Sequence, residues 1–521
     1  MRYIVGLDLG TSNSSVCYAP LLDETTPTML SFEVGNLCPS LVFYNKNGRI
    51  SVGHTAAIMY RQNDGLVNYM KRILGKKYTD VDDAIKKSCK SEIVIGKKGY
   101  AAFKVRDRVM LPEEVFTEVV KYIHKFLISK IEDGEVAKVV VTVPANYNQG
   151  QLTLTKKIVQ DGGFDNCEIQ LLPEPVAACL SYDVGAMYSS GYFVVVDSGG
   201  DTSDVALVKL DNGDHFDVVD TVGNDIAGST FDVLILEWLK KEYQEKFNSP
   251  LAPDKKDKRF EKALKILLDE CRQAKQQLST QVEVEIDLDN YFTQVSGYEG
   301  ADEIAMNLDD CGVAVDNSFP LSCTMLNTII EYYVDEIMDL VNNVLSRNHI
   351  NKDEIIRVLL MGGSSRLPLI HEKLKNMFGA SRLCEAVNPD ECVAKGACLS
   401  VLKHDIFTNR LHYNIYNCEG RPCPENYRLL LKSRTKLPCS ITKQYTIPGN
   451  NIGFFSDCIY QGETPRSARK LAPLIVTGFS DEPEDITVTY KISMNKKGNL
   501  LYSVIEDATG EVLVENKVVA N

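Results

Sequence analysis

Two stretches of this sequence share one plan: Tyr3-Ile-Val-Gly-Leu-Asp8-Leu-Gly-Thr-Ser-Asn-Ser-Ser-Val-Cys-Tyr18 and Tyr192-Phe-Val-Val-Val-Asp197-Ser-Gly-Gly-Asp-Thr-Ser-Asp-Val-Ala-Leu207. Each runs as an apolar, β-rich strand into an aspartate, turns tightly through Gly, Ser and Thr, and leaves as a second apolar strand. Short Gly-containing turns between strand-like runs read as hairpins. Asp8 and Asp197 stand 189 residues apart, so the reading is two similar subdomains, of about residues 1–190 and 191–400, facing each other across a cleft.

Working outward, Lys138-Val-Val-Val-Thr-Val143 is a continuous apolar run stopped by Pro144, as a doubly covered strand is. A helix is expected over Gln149 to Asp161, ended by Gly162-Gly163. Arg357-Val-Leu-Leu-Met361 repeats the device, followed by Gly362-Gly363-Ser364-Ser365-Arg366 and a helix from Pro368 to Phe378. Phe260 to Leu278 and Thr328 to Leu345 carry helical periodicity, the latter with Ile337, Leu340, Val341 and Val344 on one stripe. Residues 1–400 are therefore α/β.

Beyond a linker at 401–412 the pattern changes to strict alternation. Ile486, Val488, Tyr490, Ile492 and Met494 share one face of a strand, Asn495-Lys-Lys-Gly498 supplies a turn, and residues 499–506 return as its partner. Further short strands are expected over 428–432, 444–447, 453–460 and 474–478. This spacing predicts an all-β sandwich over 413–521.

Composition narrows the function. The chain has 521 residues and a formal net charge of −14, which argues against a protein built to grip nucleic-acid phosphates. Hydrophobic content of 44% and charged content of 25% exclude a fibrous or disordered class. The opening apolar run is about five residues, shorter than a secretory core of about seven. No run approaches the roughly 20 apolar residues of a membrane span. Fifteen scattered cysteines without paired zinc spacing read as buried apolar thiols in a reducing, cytoplasmic setting.

Gly-rich turns at strand ends present backbone N–H groups to an anion. Two facing turns could hold a triphosphate, with Thr11, Thr202 and Ser203 as hydroxyl donors. Asp8 and Asp197 would suit Mg²⁺, which prefers oxygen ligands and keeps waters. The third turn, Gly362-Gly363, could receive a nucleoside.

These residues resemble the actin-like ATPase superfamily, and within it the seventy-kilodalton heat-shock (DnaK-type) chaperones. The carriers are Gly6-Leu-Asp-Leu-Gly-Thr11, Val143-Pro-Ala-Asn146, Leu172-Pro-Glu-Pro-Val-Ala-Ala178, Val196-Asp-Ser-Gly-Gly-Asp-Thr-Ser-Asp204, Met361-Gly-Gly-Ser-Ser-Arg-Leu-Pro368 and Asn388-Pro-Asp-Glu391, in family order. The tail is similar to the family's peptide-binding sandwich at Tyr460-Gln-Gly-Glu463 and around Gly498 to Gly510. The resemblance implies ATP and Mg²⁺ as cofactors, with Asp8, Glu174 and Asp197 organising Mg²⁺ through water. Lys71 and Thr202 then lie near the γ-phosphate, and Asp204 orients water. Gly10, Thr11, Ser12, Gly199, Gly200, Gly228, Gly362, Gly363 and Asp390 contact the nucleotide, and Lys275, Ser279, Ser364 and Arg366 form the adenosine site. It further implies ATP hydrolysis that regulates binding of unfolded or nascent polypeptide, a role in the stress response, and J-domain and exchange-factor partners. Neither nucleic acid nor membrane is expected as a direct partner.

The sequence departs from the family in places. Asp201 replaces the third glycine of the second phosphate turn, so a carboxylate beside the phosphates is expected to weaken affinity unless a metal or Lys offsets it. Arg272 stands at the acidic ribose contact, and Gln276 at the basic residue flanking the base. The Asp-flanked leucine run of the linker is reduced to His404-Asp-Ile-Phe-Thr408, and the helical lid is expected to be missing, with weak, fast-exchanging peptide binding. The alternative is a non-cycling ATP-binding scaffold similar to truncated ribosome-associated members.

Overall fold

The computed structural model describes residues 1–21, 26–59, 65–131, 134–213, 215–251, 258–295, 317–402, 414–418, 423–432, 435, 438–447, 454–462, 464–465, 468–477, 485–495 and 500–518. The expected linker beyond Leu402, including His404 to Thr408, lies outside the described residues, as do Glu463 and the turn at 496–498.

The first sheet runs β4-β3-β1-β2, with β1 Arg2–Asp8, β2 Asn13–Pro20, β3 Glu135–Val143 and β4 Glu168–Pro173; Thr28–Met29 and Leu37–Pro39 pair with β2. The second runs β7-β6-β5-β8, with β5 Gly191–Ser198, β6 Ser203–Asp211, β7 His215–Asn224 and β8 Ile355–Met361, then Leu383–Cys384. In each, the strand ending in the repeated aspartate pairs antiparallel with the next strand and parallel with a later one. Even the register repeats: Asp8 lies opposite Ser15 and Asp197 opposite Asp204. The apolar run Val139-Val140-Val141 is wholly buried, because this central parallel strand is covered on both faces.

Four helices position the site: α1 Met70–Ile73, α2 Glu174–Ser181, α3 Lys258–Gln277 and α4 Cys392–Leu402. Helix α4 comes from the second half of the chain yet packs on β1, β2 and β3 of the first, where Ala394 and Cys398 meet Ile4, Cys17 and Ala19. It also crosses α2, and small residues make that crossing possible. A Cβ on Gly396 would stand 1.7 Å from the Ala177 carbonyl oxygen, and one on Gly6 would stand 2.2 Å from that of Ala394.

The helix expected over Gln149 to Asp161 ends at Val159, and the chain passes into a wider turn at Gln160–Phe164. Gly162 and Gly163 allow it: a Cβ on Gly162 would strike Val120, and Gly163 adopts φ +112°. The helix Pro368–Phe378 forms over the expected span, and the stripe Ile337, Val341 and Val344 is buried within Cys323–Arg347.

The C-terminal part forms two four-stranded antiparallel sheets, Tyr427–Leu431, Asn414–Cys418, Phe454–Gly462 and Arg469–Thr477 in one, and Cys439–Ile447, Ile486–Met494, Leu500–Glu506 and Val512–Val518 in the other. All five residues expected on the inner face of Ile486–Met494 are buried in the sandwich core. Period-two patterning had one face to bury, and the second sheet covers it.

A methyl group at the α2–α4 crossing has no space into which to relax. Gly396→Ala is therefore expected to lower stability by about 3 kcal/mol or more through overpacking, read as a fall in the denaturation midpoint at unchanged m-value.

Candidate functional site

The two hairpin turns meet at the cleft, tip to tip. Ser12 Oγ donates to Asp201 Oδ2 at 3.1 Å, and both residues stand four after their repeated aspartate. Each turn is braced from behind. Ser40 Oγ donates to the Gly10 carbonyl at 2.8 Å. Gly199 O accepts from the Gly228 amide and from Ser364 Oγ, and Gly200 O from the Ser229 amide. In a trans peptide the next N–H points the opposite way, so the Gly200 and Asp201 amides face away from these partners, an arrangement suited to an anion.

Behind the turns lies a cavity of about 540 Å³ where Asp8, Lys71, Glu174, Asp197, Thr202 and Asp204 converge, with Gly10, Thr11, Ser12, Gly199, Gly200, Gly362, Gly363 and Asp390 also on its walls. A wider cavity of about 940 Å³ holds Gly228, Lys275, Ser279, Ser364 and Arg366, and shares Thr11, Ser12, Gly199, Gly200, Gly363 and Asp390 with the first. Every residue expected at the site except Ser203 thus faces one continuous cleft between residues distant in sequence. Ser203, expected as a hydroxyl donor, is buried outside both cavities, where its hydroxyl donates to the Ile226 carbonyl at 2.6 Å and lies 2.9 Å from Ser198 Oγ.

Lys71 is presented by α1, whose preceding residue Tyr69 has left-handed φ +58°. Its ammonium pairs with Glu174 Oε1 at 2.7 Å, and both side chains are mostly buried. Glu174 opens α2, where its carboxylate also faces a helix N-terminus. Thr142 Oγ1 donates to Asp8 Oδ1 at 3.1 Å. Burial pushes the Asp8 carboxyl up to about 6; Lys71 pulls it down and Glu174 pushes it up. Burial and Glu174 likewise push Asp204 up to about 6. Asp197 lies well above the usual carboxylate range through burial and its neighbours Glu174, Asp204 and Asp8. Burial alone would lower Lys71, but Glu174, Tyr147 and Asp8 outweigh it and raise the ammonium's pKa.

Around the inner cavity, among the described residues, the three cations Lys71, Arg72 and Lys76 face seven carboxylates, so the cleft calls for added positive charge. Among the described residues no three His, Cys, Asp or Glu side chains form a group that could itself hold a metal ion. A ring of carboxylates around a polar cavity suits a hard cation that keeps its waters, so the residues present fit Mg²⁺ carried on a phosphate ligand.

Several partners were not legible in the sequence. Asp232 joins Lys275 at 2.6 Å and Arg272 at 3.0 Å, and Lys275 Nζ also donates to the Gly228 carbonyl at 2.6 Å. Lys275 and Arg272 share one face of α3 by their spacing, which hinted at a common acid without saying which. Arg366 is held by Asp390 at 3.0 Å and by Asn388. Arg72 pairs with Asp225 at 2.5 Å across the cleft, a contact with no local signal. Asp201, expected to weaken affinity unless a metal or Lys offsets it, is buried, takes the Ser12 hydroxyl, and lies within the field of Lys275.

Duplicated sheets, helices exchanged across a seam and a cleft between strand ends define an actin-like two-lobed α/β fold, followed by a β-sandwich. The family model described as Hsp70 protein matches residues 4–406, and the chain belongs to that family. Among similar proteins, the "Chaperone protein DnaK" of Thermosipho melanesiensis is 28% identical over 400 residues, covering 76% of this chain and 59% of the relative. The "Chaperone protein dnaK1" of Synechocystis sp. is 26% identical over 532 positions, covering 98% of this chain and 71% of the relative. The match thus spans under two thirds of the first relative's length. Among the described residues no helix is long and apolar enough to cross a membrane.

A carboxyl raised on folding binds its proton more tightly in the native state. Its charge therefore destabilises the fold above about pH 6, and stability is gained as pH falls through 6 toward 4. Asp204 alone corresponds to about 3 kcal/mol. Without metal or nucleotide, Tm is expected to rise on acidification from about pH 6 toward 4, and Asp204→Asn to raise Tm at pH 6 and above and flatten that slope. A flat profile for the wild type, followed by thermal denaturation, would contradict this.

Proposed function

We propose that this chain is an ATP-dependent chaperone: Mg·ATP binds in the cleft, is hydrolysed there, and the nucleotide state regulates how the β-sandwich holds extended, unfolded or nascent polypeptide. The observation that carries the reading is the Lys71–Glu174 pair set among Asp8, Asp197 and Asp204 at the inner end of a cleft that continues past two Gly-rich turns into a nucleoside-sized cavity. Family membership supports it, as do the names of the two chaperone relatives.

In this reading Mg²⁺ supplies charge neutralisation for the phosphates when bound, with its waters held by Asp8, Glu174 and Asp197. The amides of the two turns, with Thr11 and Thr202, cradle the phosphates. Lys71 offers a fixed, protonated ammonium to the terminal phosphoryl oxygens; Glu174 orients that ammonium. Asp204, next to Thr202, accepts a hydrogen bond from the attacking water. Phosphoryl transfer through a loose transition state asks mainly for such positioning and charge balance. The wider cavity takes the nucleoside between Arg366 and α3, where the Asp232–Lys275–Arg272 network fixes the wall. J-domain and exchange-factor partners, and the division into an ATPase of residues 1–400 and a sandwich of 413–521, belong to the same proposal.

Two experiments test it. Lys71→Met is expected to bind nucleotide yet lose roughly 100-fold or more in single-turnover hydrolysis, as removal of a preorganised charge stabiliser does; wild-type peptide affinity is expected to differ between ATP and ADP. Equal hydrolysis by both proteins, with nucleotide-independent peptide affinity, favours the non-cycling scaffold. Asp201→Asn removes one negative charge beside the phosphates while keeping a group for Ser12, and is expected to tighten Mg·ATP binding roughly tenfold, measured by calorimetry.

A further inference from the structure

One group at the inner cavity has no part in this scheme. Tyr147 sits in the loop between β3 and the helix Gln149–Val159, its amide bonded to the Pro144 carbonyl at 3.2 Å and the following Asn148 capping that helix. The ring is buried, only 7% exposed, and lines the cavity beside Lys71, Glu174 and Asp204. Among the described residues its hydroxyl finds no hydrogen-bond partner. Native structures seldom leave such a donor unmet, because a buried, unpaired hydroxyl costs about as much as a lost hydrogen bond. Phe would pack the same volume without that cost. Among the described residues Tyr44 carries the same buried, unmet hydroxyl but lines neither cleft cavity, so of the two tyrosines only Tyr147 belongs to the wall of the cleft.

The surroundings say what the hydroxyl is suited to hold. Burial and the nearby Glu174 and Asp204 keep the phenol protonated, so it is a neutral donor throughout the ordinary pH range. A neutral O–H beside a lysine, in the wall of a cavity suited to phosphates, complements an anionic oxygen without adding to the local charge.

We propose that Tyr147 is a further ligand-contacting residue, whose hydroxyl donates to a terminal phosphoryl oxygen of the bound triphosphate alongside Lys71. The proposal rests on the nucleotide reading above and deepens it: ATP, which has that oxygen in reach, gains the bond, whereas ADP does not. Tyr147 thereby makes the cleft discriminate between nucleotide states at the phosphate end.

The test is Tyr147→Phe in the full chain, read three ways. Without nucleotide, Tm is expected to rise, since the unmet hydroxyl is gone and the packing kept. Mg·ATP affinity is expected to fall about tenfold, the scale of a hydrogen bond to a charged acceptor, while Mg·ADP affinity stays within about twofold. Single-turnover hydrolysis is expected to slow with it. A lower Tm without nucleotide, or an equal loss for ATP and ADP, assigns the hydroxyl to the protein's own structure and overturns the proposal. Wild-type binding of both nucleotides by the variant also overturns it and leaves the nucleotide reading intact; failure of the wild type to bind either nucleotide overturns both.

Discussion

The structure turns on the crossing of α2 and α4. Gly396 rides so close to the Ala177 carbonyl that no side chain fits between them, and Gly6 makes the same concession to α4 on the face of β1. This contact decides how near the two halves come. Glu174 is the first residue of α2, and Asp390 stands just ahead of α4. Bringing the helices together therefore drives acids from both halves, and the strand-end Asp8 and Asp197, into one small volume.

That convergence is electrostatically costly. Three buried carboxyls, Asp8, Asp197 and Asp204, lie above their ordinary range, while Lys71 pairs with Glu174 beside them. A fold that only maximised its stability would not gather them, since apolar residues of similar volume generally do as well or better than buried ions. Strain of this kind concentrates at functional sites, and its relief is built into the chemistry of the ligand: a cation carried by a polyphosphate supplies positive charge to the acids, and the turn amides meet the anion. The left-handed Tyr69 before Lys71 and the unmet hydroxyl of Tyr147 belong to the same class of local cost.

Most elements were legible because each depends on a local pattern. Continuous apolar runs stopped by proline gave β3; period-two alternation gave Ile486–Met494; glycine pairs marked strand ends. The duplication was also legible, because repeated hairpins need repeated turn chemistry. Boundaries slipped where the end of an element is set by a neighbour: the helix after Asn148 stops at Val159 because Val120 leaves room only for Gly162 beside it.

By itself the sequence determined the order of elements, the duplicated phosphate turns and the candidate acids, since strand ends, turns and their side chains follow from short-range sterics and hydrophobic periodicity. Only the tertiary structure decided which charges meet: Lys71 with Glu174 across 103 residues, Ser12 with Asp201 across 189, Arg72 with Asp225 across 153, and Asp232 with both Arg272 and Lys275. These pairings arise from long-range packing of two sheets and the helices between them, and no local pattern encodes the distance between residues that meet only when the cleft is formed.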